Sequence, residues 1–288
     1  MVEILLLNRH KSNIMKNKNK LIKIFLLILI FLLSSNNETN VLFAQENEVD
    51  FSNAIDGEEK RAKWGTEEFK QSLIDEMSSA NVKLFIEPHL VSIEEPSRIF
   101  YKFTKESTRE DNFVGNVVLN IVKIDDEKRK YITFRYLKGR NKVRFPPQIG
   151  AKGNPVFMLF FERDARDMQR LTGGNALFFR SRIRHAIAAT EIKQTTIKFK
   201  EEEYPATEIY FQPFLKTKLK NRISRYKTKE FRVTLSENIP GHIFKIEAYS
   251  KDTEDTKDTI KETLIYQGTK TNKQLRENFK EKKEKNKL

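Results

Sequence analysis

From Val82 onward the chain alternates apolar and polar positions. "VKLFIE", "SRIFYKFTKE", "FVGNVVLNIVKI" and "KYITFRYLK" are rich in β-branched and aromatic residues. Period-two patterns of this kind predict strands with one buried face. "DDEK" between the last two predicts a hairpin turn, and "RFPPQIGAKGNP", with three Pro and two Gly, predicts a loop. Asn154-Pro155 then supplies a cap and a proline at the first helical position. A helix is expected from Pro155 to about Leu171, stopped by Gly173 in a left-handed conformation. Asn175 opens a second helix, to about Ala189. "TTIKFKEEEYPATEIYFQPF" and "FRVTLSENIPGHIFKIEAYS" predict two more hairpins, and "TLIYQG" a last strand. Between the hairpins, Leu215, Leu219, Ile223 and Tyr226 share helical spacing and predict a third helix. Upstream, Thr66 caps a short helix with Phe69, Leu73, Ile74 and Met77 on one face, ending near Asn81.

Strands, two helices, strands, one helix, strands, joined by short links, make an α+β fold. The expected form is a large curved antiparallel sheet, half-barrel-like, covered by a helical hairpin and one further helix. Residues 64–268 form this single domain, residues 45–63 read as a flexible leader, and residues 269–288 as a charged disordered tail.

Composition changes the picture mainly at the N-terminus. Lys16, Lys18, Lys20 and Lys23 precede the apolar run "IFLLILIFLL" (Ile24 to Leu33), and a polar stretch follows. A basic segment and a ten-residue apolar run form an export signal; spanning a bilayer takes about 20 residues. Residues 1–44 are therefore a signal peptide or an N-terminal anchor, with Met1 or Met15 as start and cleavage after Ala44 or near Ser34–Ser35, which places the remainder in the periplasm. Zero Cys excludes disulfides, thiolate metal sites and a cysteine nucleophile. The net charge of +14 favours anionic partners such as phospholipid headgroups or lipopolysaccharide phosphates. Nucleic acid is not expected for an exported chain.

Candidate chemistry concentrates in the helical hairpin. At about 100° per residue, Asp164 falls in the apolar sector of the first helix with Phe157, Phe160, Phe161, Met168 and Leu171. Arg182 falls in that of the second, with Phe178, Phe179, Ile183 and Ala186. The two charges are nearly equidistant from the Gly173–Gly174 turn, so level antiparallel helices would pair them; an Asp164–Arg182 structural ion pair is expected. Arg180 and Arg184, one turn apart beside His185, are an anion-binding candidate, since arginine forks match oxyanions. Lys216, Lys218, Lys220, Arg222 and Arg225 make the third helix basic, which suits either a solvated face or a membrane surface. HExxH, GxSxG and GxxxxGK[ST] do not occur. No catalytic residue, metal site or cofactor is expected, although Glu162, Asp164 and Asp167 offer paired carboxylates beside interleaved arginines.

The segment "NPVFMLFFERDARDMQRLTGGNALFFRSRIRHAIA" with "FRVTLSENIPGHIF" resembles uncharacterised exported proteins of alphaproteobacteria over roughly residues 64–250. That resemblance implies export and carries no activity or functional residue. In element order alone the chain resembles periplasmic half-barrel carriers of lipids or lipoproteins. The resulting expectation is a non-enzymatic cell-envelope binding or scaffold module for an apolar or anionic ligand. A carboxylate-dependent envelope hydrolase using Asp164 or Glu162 is the alternative, and a membrane-anchored structural partner a third.

Overall fold

The computed structural model describes residues 77–217 and 223–285. The expected export segment, the leader and the start of the Thr66 helix lie outside them. A short helix, α1 (Ser79–Asn81), continues into a π-helical turn at Val82–Ile86. "VKLFIE" is thus helical where a strand was expected. Ser78 caps α1 by accepting from the Asn81 N–H, Leu84 is buried, and Phe85 packs edge-on against Phe157 at 5.4 Å. Tertiary burial overrides the strand propensity of the segment.

Nine strands follow: β1 (Ser97–Ser107), β2 (Phe113–Ile124), β3 (Lys130–Tyr136), β4 (Gln148–Ala151), β5 (Lys193–Phe199), β6 (Glu202–Phe211), β7 (Glu230–Leu235), β8 (Ile243–Lys251) and β9 (Thr259–Thr271). Between β4 and β5 lie α2 (Val156–Thr172) and α3 (Ala176–Ala188). The β2–β3 turn closes as expected, with Asp125 Oδ1 accepting from the backbone of Glu127 and Arg129. The proline-rich segment contains a short edge strand, β4, paired with β3 at two positions.

The sheet runs β4-β3-β2-β1-β9-β8-β7-β6-β5, every neighbour antiparallel. The chain starts at the middle, walks out to the β4 edge, and re-enters at the opposite edge before walking back to pair β9 with β1. The helical hairpin makes the edge-to-edge crossing. Nine flat strands would span about 38 Å and α2 about 26 Å, so the sheet must curl beneath the helix. Curling is visible directly. Phe199 of β5 and Tyr266 of β9 are four strands apart, about 19 Å if flat, yet their rings are centred 5.2 Å apart. This is the expected α+β fold with a curved, open antiparallel sheet.

Alternation sends Ile99, Tyr101, Phe103 and Lys105 of β1 to one face, opposite Tyr266, Leu264 and Glu262 of β9, and α2 covers that face. Phe160 meets Phe103, while Phe161 meets Phe211 of β6 and Phe231 of β7. Gly173 ends α2 at φ 66°, and Asn175 caps α3 by accepting from the Leu177 N–H.

Asn154, 1% exposed, ties the start of α2 to the sheet. Its Oδ1 accepts from the Val156 N–H, and its Nδ2 donates to Tyr101 Oη at 2.9 Å and to the Gly241 carbonyl at 2.7 Å. Gly241, at φ 80°, leaves room for that approach: a Cβ there would lie 2.9 Å from Asn154 Nδ2 and 2.7 Å from Ile99.

Two further expectations are corrected. The amphipathic helix over Leu215–Tyr226 is not seen in its described parts, which are a turn with exposed Leu215 and a 3-10 turn at Ser224–Tyr226. Ile223 and Tyr226 are buried as its apolar stripe required, and residues 218–222 lie outside the described set. The tail expected to be loose from Thr269 instead continues β9 and forms α4 (Asn272–Lys285). Its start is a reciprocal capping box: the Gln274 N–H donates to Thr271 Oγ1 and the Thr271 N–H to Gln274 Oε1.

Asn154→Ala should cost roughly 2–4 kcal/mol, because it strips buried partners from Gly241, Tyr101 and the helix start. Urea unfolding measures it; a loss within about 0.5 kcal/mol would show that the hub is dispensable.

Candidate functional site

The face that α2 turns to the sheet carries charges among its phenylalanines. Asp164, 2% exposed, accepts from Lys229 Nζ at 2.5 Å; Lys229, just before β7, is equally buried. One turn on, Asp167 accepts from Lys105 Nζ of β1 at 2.6 Å. Arg163 donates to Glu262 of β9 at 2.8 Å and lies over the Phe103 ring at 4.7 Å. Glu262 is itself 3.6 Å from Lys105. Three cations thus meet three carboxylates.

Their electrostatics follow from burial and pairing. Burial opposes the Arg163 charge, but Glu262 and its other neighbours outweigh it and hold the pKa above the ordinary arginine value. Burial alone would raise Asp167; Lys105 and Arg163 reverse that and hold it at about 2. Asp164 is the exception, raised by burial with Lys229 only partly compensating. Its Oδ2, with Glu262 Oε1 and Tyr136 Oη, finds no hydrogen-bond partner among the described residues.

Where this network reaches the rim it opens into a cleft of about 1100 Å³. The C-terminal half of α2 forms one wall, with Arg163, Arg166, Asp167 and Arg170. The connection after β3 forms the other, with Arg140, Lys142 and Arg144. Lys105, Arg109, Glu110, Asp111 and Phe113 line the β1–β2 end. Eight cations and three carboxylates line one space, and carboxylates just outside it pair with three of the cations: Asp255 and Asp258 with Arg109, Glu262 with Arg163 and Glu162 with Arg166. All three lining acids are engaged: Glu110 accepts from Lys105 at 2.8 Å and Arg170 at 2.7 Å, and Arg170 also donates to Asp167. Burial works against the Glu110 charge, yet these donors hold its pKa below the usual range. Asp111 pairs with Arg140 at 2.6 Å on the surface. Lys142 and Arg144 are exposed and join no ion pair among the described residues.

The residues singled out in the sequence fall differently. Asp164 is buried as its sector required, but its cation is Lys229 in place of the expected Arg182. The sector of α2 that holds Asp164 faces the sheet, so the cation comes from there. Arg182 is half-buried with its guanidinium 5.5 Å from the centre of the Phe178 ring. The fork joining the helices is Glu162–Arg180, with two bonds of 2.6 and 2.7 Å. Glu162 stands farther from the turn than Arg180 does, so the helices are not aligned level. That fork occupies the Arg180 guanidinium, and Arg184, its pKa lowered by burial and by Arg180, gains no partner through it. His185 is exposed. The Arg180–Arg184–His185 anion clasp is therefore not assembled; the cations gather in the cleft.

A second cluster, Glu87, His89 and His242, brings its ligand-type atoms within 4.8 Å of one another. Both ring nitrogens of His89 are used: Nε2 donates to the Lys83 carbonyl at 2.7 Å, and Nδ1 accepts from the Asn154 N–H at 3.1 Å. Glu87 is paired with Lys83 at 2.9 Å. A metal would have to break both arrangements, so the donor set does not fit one. His242, at φ 60° with its ring 5.4 Å from that of His89, is pushed down to about 4 by burial and by His89.

Among the described residues no helix is long and apolar enough to cross a membrane. Comparison with protein-family models and with curated proteins finds no match. Among solved structures the chain is similar to the lipoprotein LppX of Mycobacterium tuberculosis, at 7% identity and TM-score 0.24, over 59% of this chain and 84% of that one. It is also similar to a LolA superfamily protein from Nitrosomonas europaea, at 11% identity and TM-score 0.19, over 67% and 93%. These scores carry no argument about function, and neither likeness bears on kinship with alphaproteobacterial proteins.

Two outcomes follow from the geometry. Lys229→Met, which strands buried Asp164, should cost about 3–5 kcal/mol in urea unfolding, against less than about 1 kcal/mol for Arg182→Met; equal losses would contradict the pairing. In the unfolded chain His242 takes its proton near pH 6.5, in the folded one near 4, so the unfolded state binds more protons between. Its contribution to stability is full above pH 6.5 and falls, by on the order of 3 kcal/mol, as the pH drops to 4. His242 is faced by His89, Glu237 and Lys83. His242→Asn, which accepts the left-handed backbone, should remove about one proton from the uptake on unfolding; an unchanged slope would assign the acid sensitivity elsewhere.

Proposed function

We propose that the chain is an exported periplasmic protein that acts without catalysis, binding an anionic component of the cell envelope in the cleft between α2 and the β3–β4 connection. Two unpaired cations, Lys142 and Arg144, facing the half-free guanidinium groups of Arg166 and Arg170 around one open space carry this reading. The acids nearest that space already serve Lys105 and Arg170, which leaves Lys142, Arg144 and the outer edges of Arg166 and Arg170 to a ligand. An apolar ligand on the concave sheet is less favoured, because Phe103, Phe160, Phe161, Phe211 and Phe231 pack together between α2 and the strands. Export is supported by the basic residues and apolar decamer within residues 1–44. Removed or retained as an anchor, that segment leaves the binding domain on the same side of the membrane.

Hydrolysis by Asp164 or Glu162 gains nothing from the geometry. A general acid needs a raised pKa and access to substrate. Asp164 has the first but is sealed from solvent, Glu162 holds Arg166 and Arg180, and Glu110 and Asp167 in the cleft are lowered.

Native mass spectrometry of the full chain purified from the envelope tests the reading. The wild type should retain an anionic component whose occupancy falls at least tenfold in the double variant Lys142→Glu/Arg144→Glu. A chain that fractionates with the cytosol, or identical ligand-free spectra for both proteins, would overturn it.

A further inference from the structure

We infer that the ligand of the cleft is a bisphosphorylated saccharide, held by one phosphate on each wall; this rests on the cleft being the binding site. The cations left with free donors set the size of the anion. A phosphate group carries about −1.5 to −2 at neutral pH; Lys142 and Arg144, which join no ion pair among the described residues, match one, and the free guanidinium edges of Arg166 and Arg170 are left for a second. Carboxylates would be needed in greater number to do the same.

The placement of the cations that keep free donors sets the spacing. Lys142 and Arg144 stand on the β3–β4 connection, while Arg166 and Arg170, each 54% exposed at the side chain, stand on α2. Arg166 uses Nε on Glu162, and its terminal nitrogens have no hydrogen-bond partner among the described residues. Guanidinium forks of this kind match phosphate oxygens in pairs. The cations divide between two walls, so the phosphates are separated by a spacer rather than joined directly. Between the walls Phe113 and Val143 line the cleft, with Phe113 stacked on Phe103 at 5.5 Å. An aromatic face there suits the C–H side of a sugar ring.

Calorimetric titration of the full chain with inorganic phosphate, pyrophosphate, fructose 6-phosphate and fructose 1,6-bisphosphate tests this. A second series uses detergent micelles carrying a bisphosphorylated or monophosphorylated disaccharide glycolipid. Fructose 1,6-bisphosphate should bind at least tenfold tighter than the other soluble probes. Arg144→Ala and Arg166→Ala should each erase that advantage while keeping the wild-type urea midpoint. The same preference seen only in micelles supports the inference and assigns the phosphates to a lipid headgroup. If mono- and bisphosphates, or pyrophosphate and the sugar bisphosphate, bind equally and both variants weaken them, the cleft stands and the two-wall ligand is wrong. If no probe binds, or binding ignores both variants, the cleft reading falls with it.

Discussion

Three carboxylates lie between α2 and the sheet because three cations are buried with them. Asp164, Asp167 and Glu262 would each cost several kcal/mol if left unpaired in that space. Lys229, Lys105 and Arg163 supply the compensation from just before β7, from β1 and from α2 itself. Phenylalanine packing contributes the larger share of burial, yet it tolerates some sliding and rotation of the helix. The ion pairs do not. Each ties one position on α2 to a different place on the sheet (β1, β9 or the residue just before β7), so together they fix the rotation and axial placement of the helix.

That placement governs the rest of the molecule. The outward and inward walks of the chain leave only the helical hairpin to join the two sheet edges. Were α2 displaced, Asn154 would lose Tyr101 and Gly241, and β4 and β5 would enter the sheet at different points. The curl that brings Phe199 over Tyr266 also depends on a helix shorter than the flat sheet is wide.

Much of this could be read in the sequence, for identifiable reasons. Strand alternation placed β1 to β3 and β5 to β9, because the apolar positions of each share one face. Asn154, Gly173 and Asn175 marked the helix ends through local capping chemistry, which needs no tertiary information. The apolar sector correctly held Asp164. What failed was the assumption that this sector faces α3, since periodicity gives a direction on the helix and not the element lying there. Lys229 could not be chosen among so many lysines. The cleft was missed because its parts come from separate segments, each reading as ordinary surface charge. One signal was available: Lys128 to Phe161 contains nine basic residues and no carboxylate. A run so unbalanced cannot neutralise itself, and the β3–β4 wall lies within it.

Core neutrality and cleft charge are two sides of one arrangement. All three acids of α2 are consumed by structure: Glu162 by Arg166 and Arg180, Asp164 by Lys229, Asp167 by Lys105 and Arg170. None is left to screen the opposite wall. Glu110, the acid best placed to do so, is drawn to Lys105 and Arg170 at the cleft floor. The pairs that seat the helix therefore take the negative charge inward and leave the positive excess at the rim. There, water gives way to a ligand most readily where no carboxylate competes for the guanidinium forks.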